Sequence, residues 1–260
     1  MEEIDPSRPH EARVYDYILG GKDNYAPDRE VGAELLRALP WMAESAQHNR
    51  AFLRRAVQFV VDAGVDQFLD IGTGLPTVEN THQVAQASNA DARVVYVDYD
   101  PLVLAHARAL LTGGNTAYIP GDIRRPREIL DKAAAHLDFG RPVALMLVAI
   151  LHHLFDSDEP FTHVRTLIDA IPSGSYLILT HASHEFVDPE TAAELDEVFA
   201  ASGIQYRSRG RGDLERLVAS LELEDPGIVA VTAWRPDVQA VDAAPSAKGS
   251  SHWGLVARKR

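Results

Sequence analysis

The chain has no cysteine, and its 260 residues carry 25 Lys and Arg against 38 Asp and Glu, a formal net charge of −13 at pH 7. The missing cysteine excludes disulfides, thiolate zinc sites and a cysteine nucleophile. The shortage of positive charge argues against nonspecific binding to duplex nucleic acid, because basic residues must neutralise its phosphates. We therefore expect no nucleic-acid partner.

Long hydrophobic runs are also missing. The longest, residues 143–151, has about half the roughly 20 residues that a membrane-spanning helix needs, and it is typical of a buried strand. The opening Met-Glu-Glu-Ile-Asp is acidic and lacks the apolar core of a signal peptide. These features predict a cytoplasmic protein without a membrane partner.

The chain divides into two parts of different character. Prolines punctuate the first forty residues and Gly20-Gly21 interrupts a short apolar pattern, so residues 1–48 are predicted to form a partly helical arm. Residues 49–260 are predicted to form one binding domain, because strand-like and helical segments alternate there. The loop 237–250, rich in Ala, Pro and Ser, is predicted to be mobile.

Seven strands and six helices are predicted in this domain. The predicted strands are residues 67–69, 93–97, 116–119, 143–148, 175–180, 228–234 and 253–258. The predicted helices are residues 49–63, 101–111, 126–136 and 160–171, with two more beginning at Pro76 and Pro189. This alternation predicts an α/β fold with a doubly wound, mostly parallel seven-stranded sheet, in which ligands bind at the carboxyl ends of the strands.

A glycine turn and an acidic residue stand at two of those ends. Gly72 and Gly74 allow a tight turn and a close approach of ligand to backbone. Asp98 follows Gly74 by 24 residues, near the spacing of roughly 20 at which a carboxylate reaches ribose hydroxyls. The pattern predicts a nucleoside ligand.

Two residues indicate which nucleoside it is. Position 77 is Thr where the dinucleotide fingerprint has a third glycine. Asp70, just before the turn, repels phosphates but suits a cationic sulfonium or an amino group. Both features favour S-adenosylmethionine over a nicotinamide dinucleotide, although a nicotinamide-dependent oxidoreductase stays open as a disfavoured alternative.

These motifs resemble those of class I S-adenosylmethionine-dependent methyltransferases, with residues 69–74 (Leu-Asp-Ile-Gly-Thr-Gly) as the glycine motif and Val97-Asp98 as the ribose motif. The arm segment 12–25, the stretch 49–55 and the turn Gly-Thr-Gly-Leu-Pro-Thr at 72–77 resemble an actinobacterial methyltransferase family formerly classed as a domain of unknown function. The resemblance covers nearly the whole chain. It implies a Rossmann-like fold, S-adenosylmethionine as cofactor and S-adenosylhomocysteine as product.

The resemblance also implies roles for individual residues. Gly72 and Gly74 pack against the methionine part, Asp98 binds the ribose hydroxyls, Tyr99 flanks the adenine, and Asp122 accepts from the adenine amino group beside the backbone of Ile123. The resemblance further implies that the arm, residues 1–48, acts as a lid, in which Lys22, Asp23 and Asn24 close over the cofactor or bind its carboxylate. The full set of implied cofactor residues is Lys22, Asp23, Asn24, Asp70, Gly72, Thr73, Gly74, Asp98, Tyr99, Asp122 and Ile123. The chain departs from the family pattern at Tyr99, where asparagine is expected, and at His153, where a nonpolar or aromatic residue is expected.

Histidines follow the two central strands. His152 and His153 stand where an acceptor would meet the methyl group, and they are candidate catalytic residues, with packing and backbone hydrogen bonding as the alternative. No spaced carboxylate-histidine motif accompanies them, so we expect no metal site. The basic run Arg207, Arg209 and Arg211 is interpreted as a solvated loop, with an anion clamp as the alternative.

The sequence therefore predicts an S-adenosylmethionine-dependent methyltransferase that acts on a small-molecule acceptor. A regulatory protein that binds S-adenosylmethionine without transferase activity stays open beside it.

Overall fold

A computed structural model describes residues 5–76, 79–110, 114–236 and 249–260. Most of the predicted mobile loop, residues 237–248, lies outside the described residues. Among the helices described, none is long and apolar enough to cross a membrane.

One twisted sheet organises the molecule. Its strands are β1 (Gln67–Ile71), β2 (Arg93–Asp98), β3 (Thr116–Pro120), β4 (Ala144–Val148), β5 (Tyr176–Ala182), β6 (Glu222–Leu223), β7 (Val229–Ala230) and β8 (His252–Arg258). The order is β3-β2-β1-β4-β5-β8-β6, with β7 also paired to β8. Strands β1 to β5 run parallel and β8 is antiparallel. The predicted fold class is confirmed.

The far edge differs from the prediction. The expected strand 228–234 pairs only through Val229 and Ala230, and the short strand β6 was not predicted. Strands β6 and β7 both pair with the edge of β8 that β5 does not use. The eight strands of the described chain therefore occupy seven positions across the sheet. After β7 the chain turns away, since Ala233 N donates to Ala230 O at 2.8 Å.

The helices of the described chain are α1 (Glu11–Ile18), α2 (Ala26–Ala38), α3 (Met42–Asp62), α4 (Thr81–Ser88), α5 (Pro101–Leu110), α6 (Pro126–Ala133), α7 (Pro160–Ala170), α8 (Pro189–Ser202) and α9 (Arg211–Leu217). Helix α3 runs unbroken through position 48, the predicted end of the arm. Helix α4 begins at Thr81 and not at Pro76, because the Asn80 backbone N–H donates to the Gln83 side chain at 2.8 Å and caps the helix there.

Alternate residues of each strand face two apolar layers. On one face, Leu145 and Leu147 of β4 pack in a cluster with residues of α6, α7 and α9. On the other, Ala144 and Met146 pack in a cluster with residues of α3 and α4. The burial of β4 on both faces explains its continuous apolar run. Because β4 lies between β1 and β5, its carboxyl end is near the middle of the sheet edge.

The arm has a third apolar cluster, built from α1, α2, the start of α3 and α8. A buried ion pair holds its first two helices together: Arg13 Nε donates to Asp28 Oδ2 at 2.9 Å. Asp28 also accepts from the backbone N–H groups of His10 at 2.9 Å and Tyr25 at 2.7 Å. Asp28 is fully buried, so its charge depends on these donors.

Replacing this carboxylate should weaken the arm. We expect Asp28→Asn to lower the free energy of unfolding by about 3 kcal/mol, because it removes the nearer of the two carboxylates that pair with the buried Arg13 guanidinium. Urea unfolding followed by tryptophan fluorescence measures the change. Glu30→Gln, the same kind of change at an exposed position of α2, is the matched control. Identical unfolding curves for Asp28→Asn and the wild type would contradict this assignment.

Candidate functional site

A cavity of about 280 Å³ lies at the carboxyl ends of β1 to β4 and is closed on one side by the arm. Ten of the predicted site residues line it: Asp70, Gly72, Thr73, Gly74, Asp98, Tyr99, Asp122, Ile123, His152 and His153. The sheet therefore brings together residues that are up to 83 positions apart in the sequence.

The glycine turn is fixed by β2. Gly72 N and Thr73 N both donate to Val97 O, at 2.8 and 3.3 Å. Gly72 has φ 75°, and a Cβ added there would lie 2.2 Å from Cδ1 of Ile150, so only glycine fits. Gly74 has φ 64°, and a Cβ on it would meet nothing within 4 Å. The turn keeps its backbone bare along this wall of the cavity.

Asp98 ties the end of β2 to this turn. Its Oδ2 accepts from Gly74 N at 2.8 Å and its Oδ1 accepts from Asp100 N at 2.9 Å. Burial raises the pKa of Asp98, while these two backbone hydrogen bonds act to lower it. Each carboxylate oxygen can accept a further hydrogen bond, so the side chain is able to bind a ligand hydroxyl without giving up the turn.

Asp70 is a second buried carboxylate in the same wall. Its Oδ2 accepts from the Thr81 hydroxyl at 2.7 Å. Burial raises the pKa of Asp70 to about 6, and the nearby Asp98 carboxylate acts in the same direction. The negative charge at this position lacks full solvation, so a cation in the cavity would stabilise it.

Tyr99 and Asp122 make contacts that the sequence did not indicate. The Tyr99 hydroxyl donates to Glu11 of α1, although the side chain is 42% exposed. Asp122 accepts from the Arg124 Nε at 2.9 Å and pairs with its Nη2 at 2.8 Å. Burial acts to raise the pKa of Asp122, but the hydrogen bonds from Arg124 outweigh it and the pKa is lowered. Asp122 is thus an ionised acceptor beside a fixed guanidinium.

A strained turn after β4 carries the two candidate catalytic histidines. Ala149 has φ 56°, unusual for a residue with a Cβ, and its N–H donates to the Thr180 hydroxyl at 2.9 Å. The next turn holds His152 and His153 at the cavity. His153 Nδ1 lies 2.9 Å from Gln205 O, and His152 Nδ1 accepts from Ala182 N at 3.4 Å.

Burial keeps these histidines neutral. It lowers the pKa of His153, and it lowers the pKa of His152 well below its ordinary value, with the adjacent His153 as the next cause. In the described part of the chain, no group of three or more His, Asp or Glu is placed to hold a metal ion.

The interpretation of Arg209 as part of a solvated loop is wrong. This side chain is 4% exposed and donates to Leu151 O and Leu154 O, both at 2.9 Å, and to Asp156 Oδ1 at 2.7 Å. It supports the turn that carries the histidines. Arg207 and Arg211 pair with Asp156 and Glu215 instead.

The structure does not bring Lys22, Asp23 and Asn24 to the cavity. Gly21 N donates to Asp16 O at 2.8 Å, and the Asp16 carboxylate accepts from Asp23 N at 3.0 Å and from Asn24 Nδ2 at 2.8 Å. These bonds hold the loop after α1 against Asp16. The arm reaches the cavity through other positions, namely Pro9, His10, Glu11, Ala12, Tyr15 and Asp16.

Asn49 is a cavity residue whose role the sequence analysis missed. It is 1% exposed, and its Nδ2 donates to the Tyr15 hydroxyl at 3.3 Å. Its Oδ1 is buried and has no hydrogen-bond partner among the described residues, which marks it as an acceptor for a ligand donor. A sequence signal for Asn49 did exist, because the stretch 49–55 is one of the motifs that resemble the methyltransferase family.

A second, smaller cavity of about 90 Å³ adjoins the first. Helices α1, α2 and α8 and the start of α3 form much of its wall. Five residues line both cavities: Glu11, Tyr15, His152, His153 and Ile204. The two histidines therefore stand at the boundary between the two spaces.

The buried Asp70 predicts a pH dependence of stability. Its folded pKa of about 6 lies above the ordinary value of 3.8, so the stability from its protonated form is complete below about pH 4 and is lost as pH rises through 6. Between pH 4 and pH 8 the wild type should lose about 2 kcal/mol relative to Asp70→Asn.

Urea unfolding at the two pH values tests this. Asp131→Asn, on the exposed side of α6, is the matched control and should follow the wild type. Parallel pH profiles for Asp70→Asn and the wild type would show that Asp70 ionises without penalty.

Comparisons with known proteins agree with this geometry. A family model described as S-adenosyl methyltransferase matches residues 1–260. A DUF574 family protein of Streptomyces avermitilis is 40% identical, with a TM-score of 0.94 over 99% of this chain and 100% of that one. A candidate methyltransferase of Thermobifida fusca is 41% identical, with a TM-score of 0.91 over 98% of this chain and 96% of that one.

More distant structures share the fold. An S-adenosylmethionine-dependent methyltransferase of Mesorhizobium loti has a TM-score of 0.50 at 17% identity, over 74% of this chain and 90% of that one. A search among curated proteins found no match. The cavity at the sheet edge, the family model and the two relatives lead to one conclusion: the chain belongs to the S-adenosyl methyltransferase family and is an S-adenosylmethionine-dependent methyltransferase.

Proposed function

We propose that the larger cavity holds S-adenosylmethionine and that a small-molecule acceptor meets its methyl group beside His152 and His153. The observation that carries this proposal is the buried Asp98 carboxylate, which is held by the glycine turn and keeps acceptor capacity toward the cavity. The comparisons give no support to a purely regulatory protein. The net charge of −13 favours a small acceptor over a nucleic acid.

The residues present fit this cofactor. Its ribose hydroxyls and its ammonium group are donors, and the cavity offers Asp98, Asp70 and the unpartnered Oδ1 of Asn49 as acceptors. Its sulfonium is cationic, and the raised pKa of Asp70 shows a carboxylate that a cation would stabilise. When bound, the cofactor supplies an electrophilic methyl group and leaves as S-adenosylhomocysteine.

Each wall of the cavity then has a role. Asp98 accepts from the ribose hydroxyls, while the bare backbone of Gly72, Thr73 and Gly74 lies along the methionine part. Asn49 and Asp70 accept from the ammonium group. At the other end of the cavity, the adenine lies beside Tyr99, Asp122 and the backbone of Ile123. These are the adenine contacts that the resemblance implies.

The arm acts as a lid in this proposal, through residues other than Lys22, Asp23 and Asn24. Tyr99 donates to Glu11, and His10 Nδ1 lies 3.1 Å from Asp100 Oδ2. Both contacts join α1 and its N-terminal cap to the loop after β2. This loop directly follows Asp98, the residue proposed to bind the ribose. These contacts therefore latch the lid to the cofactor loop.

Asp98 is tested by substitution. We expect Asp98→Ala to weaken S-adenosylmethionine binding by about 1–3 kcal/mol, or roughly 5- to 150-fold, because charged hydrogen bonds to ribose are lost. Isothermal titration measures the affinity, and circular dichroism checks that the variant stays folded. Asp91→Ala, an exposed position before β2, is the control. Unchanged affinity in Asp98→Ala would contradict the ribose role, and heat from NAD alone would revive the oxidoreductase alternative.

The lid is tested through Tyr99→Phe, which keeps the ring and removes its hydrogen bond to Glu11. We expect S-adenosylhomocysteine to dissociate about fivefold faster, because loss of about 1 kcal/mol at the latch makes opening more frequent. Stopped-flow displacement measures this rate. Tyr17→Phe, on the same helix as Glu11 but away from the cavity lining, is the matched control. An unchanged dissociation rate in Tyr99→Phe would show that the arm does not gate the site.

A further inference from the structure

We propose that the smaller cavity is the acceptor site, that it takes a neutral apolar molecule bearing a hydroxyl group such as a phenol, and that His153 removes the hydroxyl proton. This inference rests on the proposed function, because it places the acceptor next to the cofactor cavity.

The position of the smaller cavity suits an acceptor. It meets the cofactor cavity at Glu11, Tyr15, His152, His153 and Ile204, so a molecule inside it lies against the two imidazoles. The remaining wall comes largely from the arm and α8. Closing the arm would therefore complete the acceptor site and cover the cofactor in one motion.

The wall selects for an apolar molecule. Leu35, Leu39, Met42 and Ala46 line it from the arm side, and Leu195 and Phe199 line it from α8. None of the described residues that line it is Lys or Arg. A carboxylate or phosphate on the acceptor would enter without a cationic partner, which is unfavourable in a buried space.

A cationic acceptor is disfavoured as well. Burial lowers the pKa of His152, His153 and His252, all of which line the smaller cavity, so this region removes solvation from positive charge. Among the described residues that line it, Glu11 is the one carboxylate, and its charge already acts on His153 while it accepts from the Tyr99 hydroxyl. An acceptor that enters as a neutral molecule meets neither penalty.

The backbone sets different tautomers in the two histidines. A carbonyl oxygen can only accept, so His153 Nδ1, 2.9 Å from Gln205 O, carries the proton and leaves the lone pair on Nε2. A backbone N–H can only donate, so His152 Nδ1, which accepts from Ala182 N, leaves its proton on Nε2. His153 is thus the proton acceptor of the pair, and His152 is a donor that orients the hydroxyl oxygen.

The transfer step balances with these groups. The hydroxyl oxygen forms a bond to the methyl carbon, the sulfur–carbon bond breaks with its electron pair on sulfur, and the hydroxyl proton moves to Nε2 of His153. The products are the methyl ether, S-adenosylhomocysteine and an imidazolium that releases its proton to water. The charge of Glu11 favours the protonated form of His153, so the arm stabilises the imidazolium when it forms.

Binding tests the acceptor class without turnover. The protein saturated with S-adenosylhomocysteine is titrated with p-cresol, benzylamine and benzoate, which carry one ring and are neutral, cationic and anionic at pH 7. We expect p-cresol to bind at least tenfold more tightly than the other two. Equal or tighter binding of benzylamine or benzoate would overturn the assignment of a neutral acceptor.

Two alanines of α3 locate the site. Ala46 lines the smaller cavity and Ala43, one turn earlier, lines neither cavity. Ala46→Leu should weaken p-cresol binding at least tenfold and leave S-adenosylhomocysteine binding within twofold, whereas Ala43→Leu should change neither. Retained p-cresol affinity in Ala46→Leu would place the acceptor elsewhere. If the wild type did not bind S-adenosylhomocysteine at all, that result would instead contradict the proposed function.

His153 is tested by nitrogen NMR and by substitution. The ¹⁵N resonances should show an unprotonated Nε2 in His153 and an unprotonated Nδ1 in His152, and the reverse pattern would overturn the roles.

His153→Asn keeps a donor for Gln205 O and should lower methylation of p-cresol at least 100-fold, with p-cresol affinity retained. The loss should be smaller with 4-nitrophenol, which can enter as the neutral molecule and whose more acidic hydroxyl depends less on a base. An equal loss with both phenols would contradict proton removal by His153.

Discussion

The end of strand β2 is the point on which the site depends, because its two buried carboxylates join three parts of the molecule. Asp98 accepts from Gly74 N and so fixes the glycine turn after β1. Asp100 accepts from Leu102 N at 2.7 Å, which caps α5, and it lies 3.1 Å from His10 at the start of the arm. The turn, the helix and the start of the arm are therefore positioned by one short segment.

Burial gives the two cavities opposite chemical preferences. In the larger one it leaves the carboxylates of Asp70 and Asp98 poorly solvated, which favours a cationic, hydroxyl-rich cofactor. In the smaller one it holds histidines neutral among apolar side chains, which favours an uncharged acceptor. The arm lines both spaces through Glu11 and Tyr15, so it forms part of the boundary between them.

The sequence predicted what short-range patterns determine. Strand and helix periodicity, with prolines at helix starts, was enough for the fold class and for the positions of β1 to β5 along the chain, and spacing was enough to single out the glycine turn and Asp98 as residues of one site. Contacts between distant segments were not readable. Arg209 is basic and flanked by serine and glycine, yet it is buried under the turn 151–154, and the unpartnered Oδ1 of Asn49 has no local signature. The contacts of the Asp16 carboxylate with Asp23 and Asn24 also join segments that no local pattern links, and these two residues do not line the cavity.

Amide hydrogen exchange, with and without S-adenosylhomocysteine, tests most directly whether the arm and the sheet edge form one site. The account predicts slower exchange in two separate segments at once, the turn 72–74 and helix α1 at residues 11–18, because the ligand bridges the ribose loop to the arm. Slower exchange in the turn alone, with α1 unchanged, would contradict it and would leave the arm as a structural appendage.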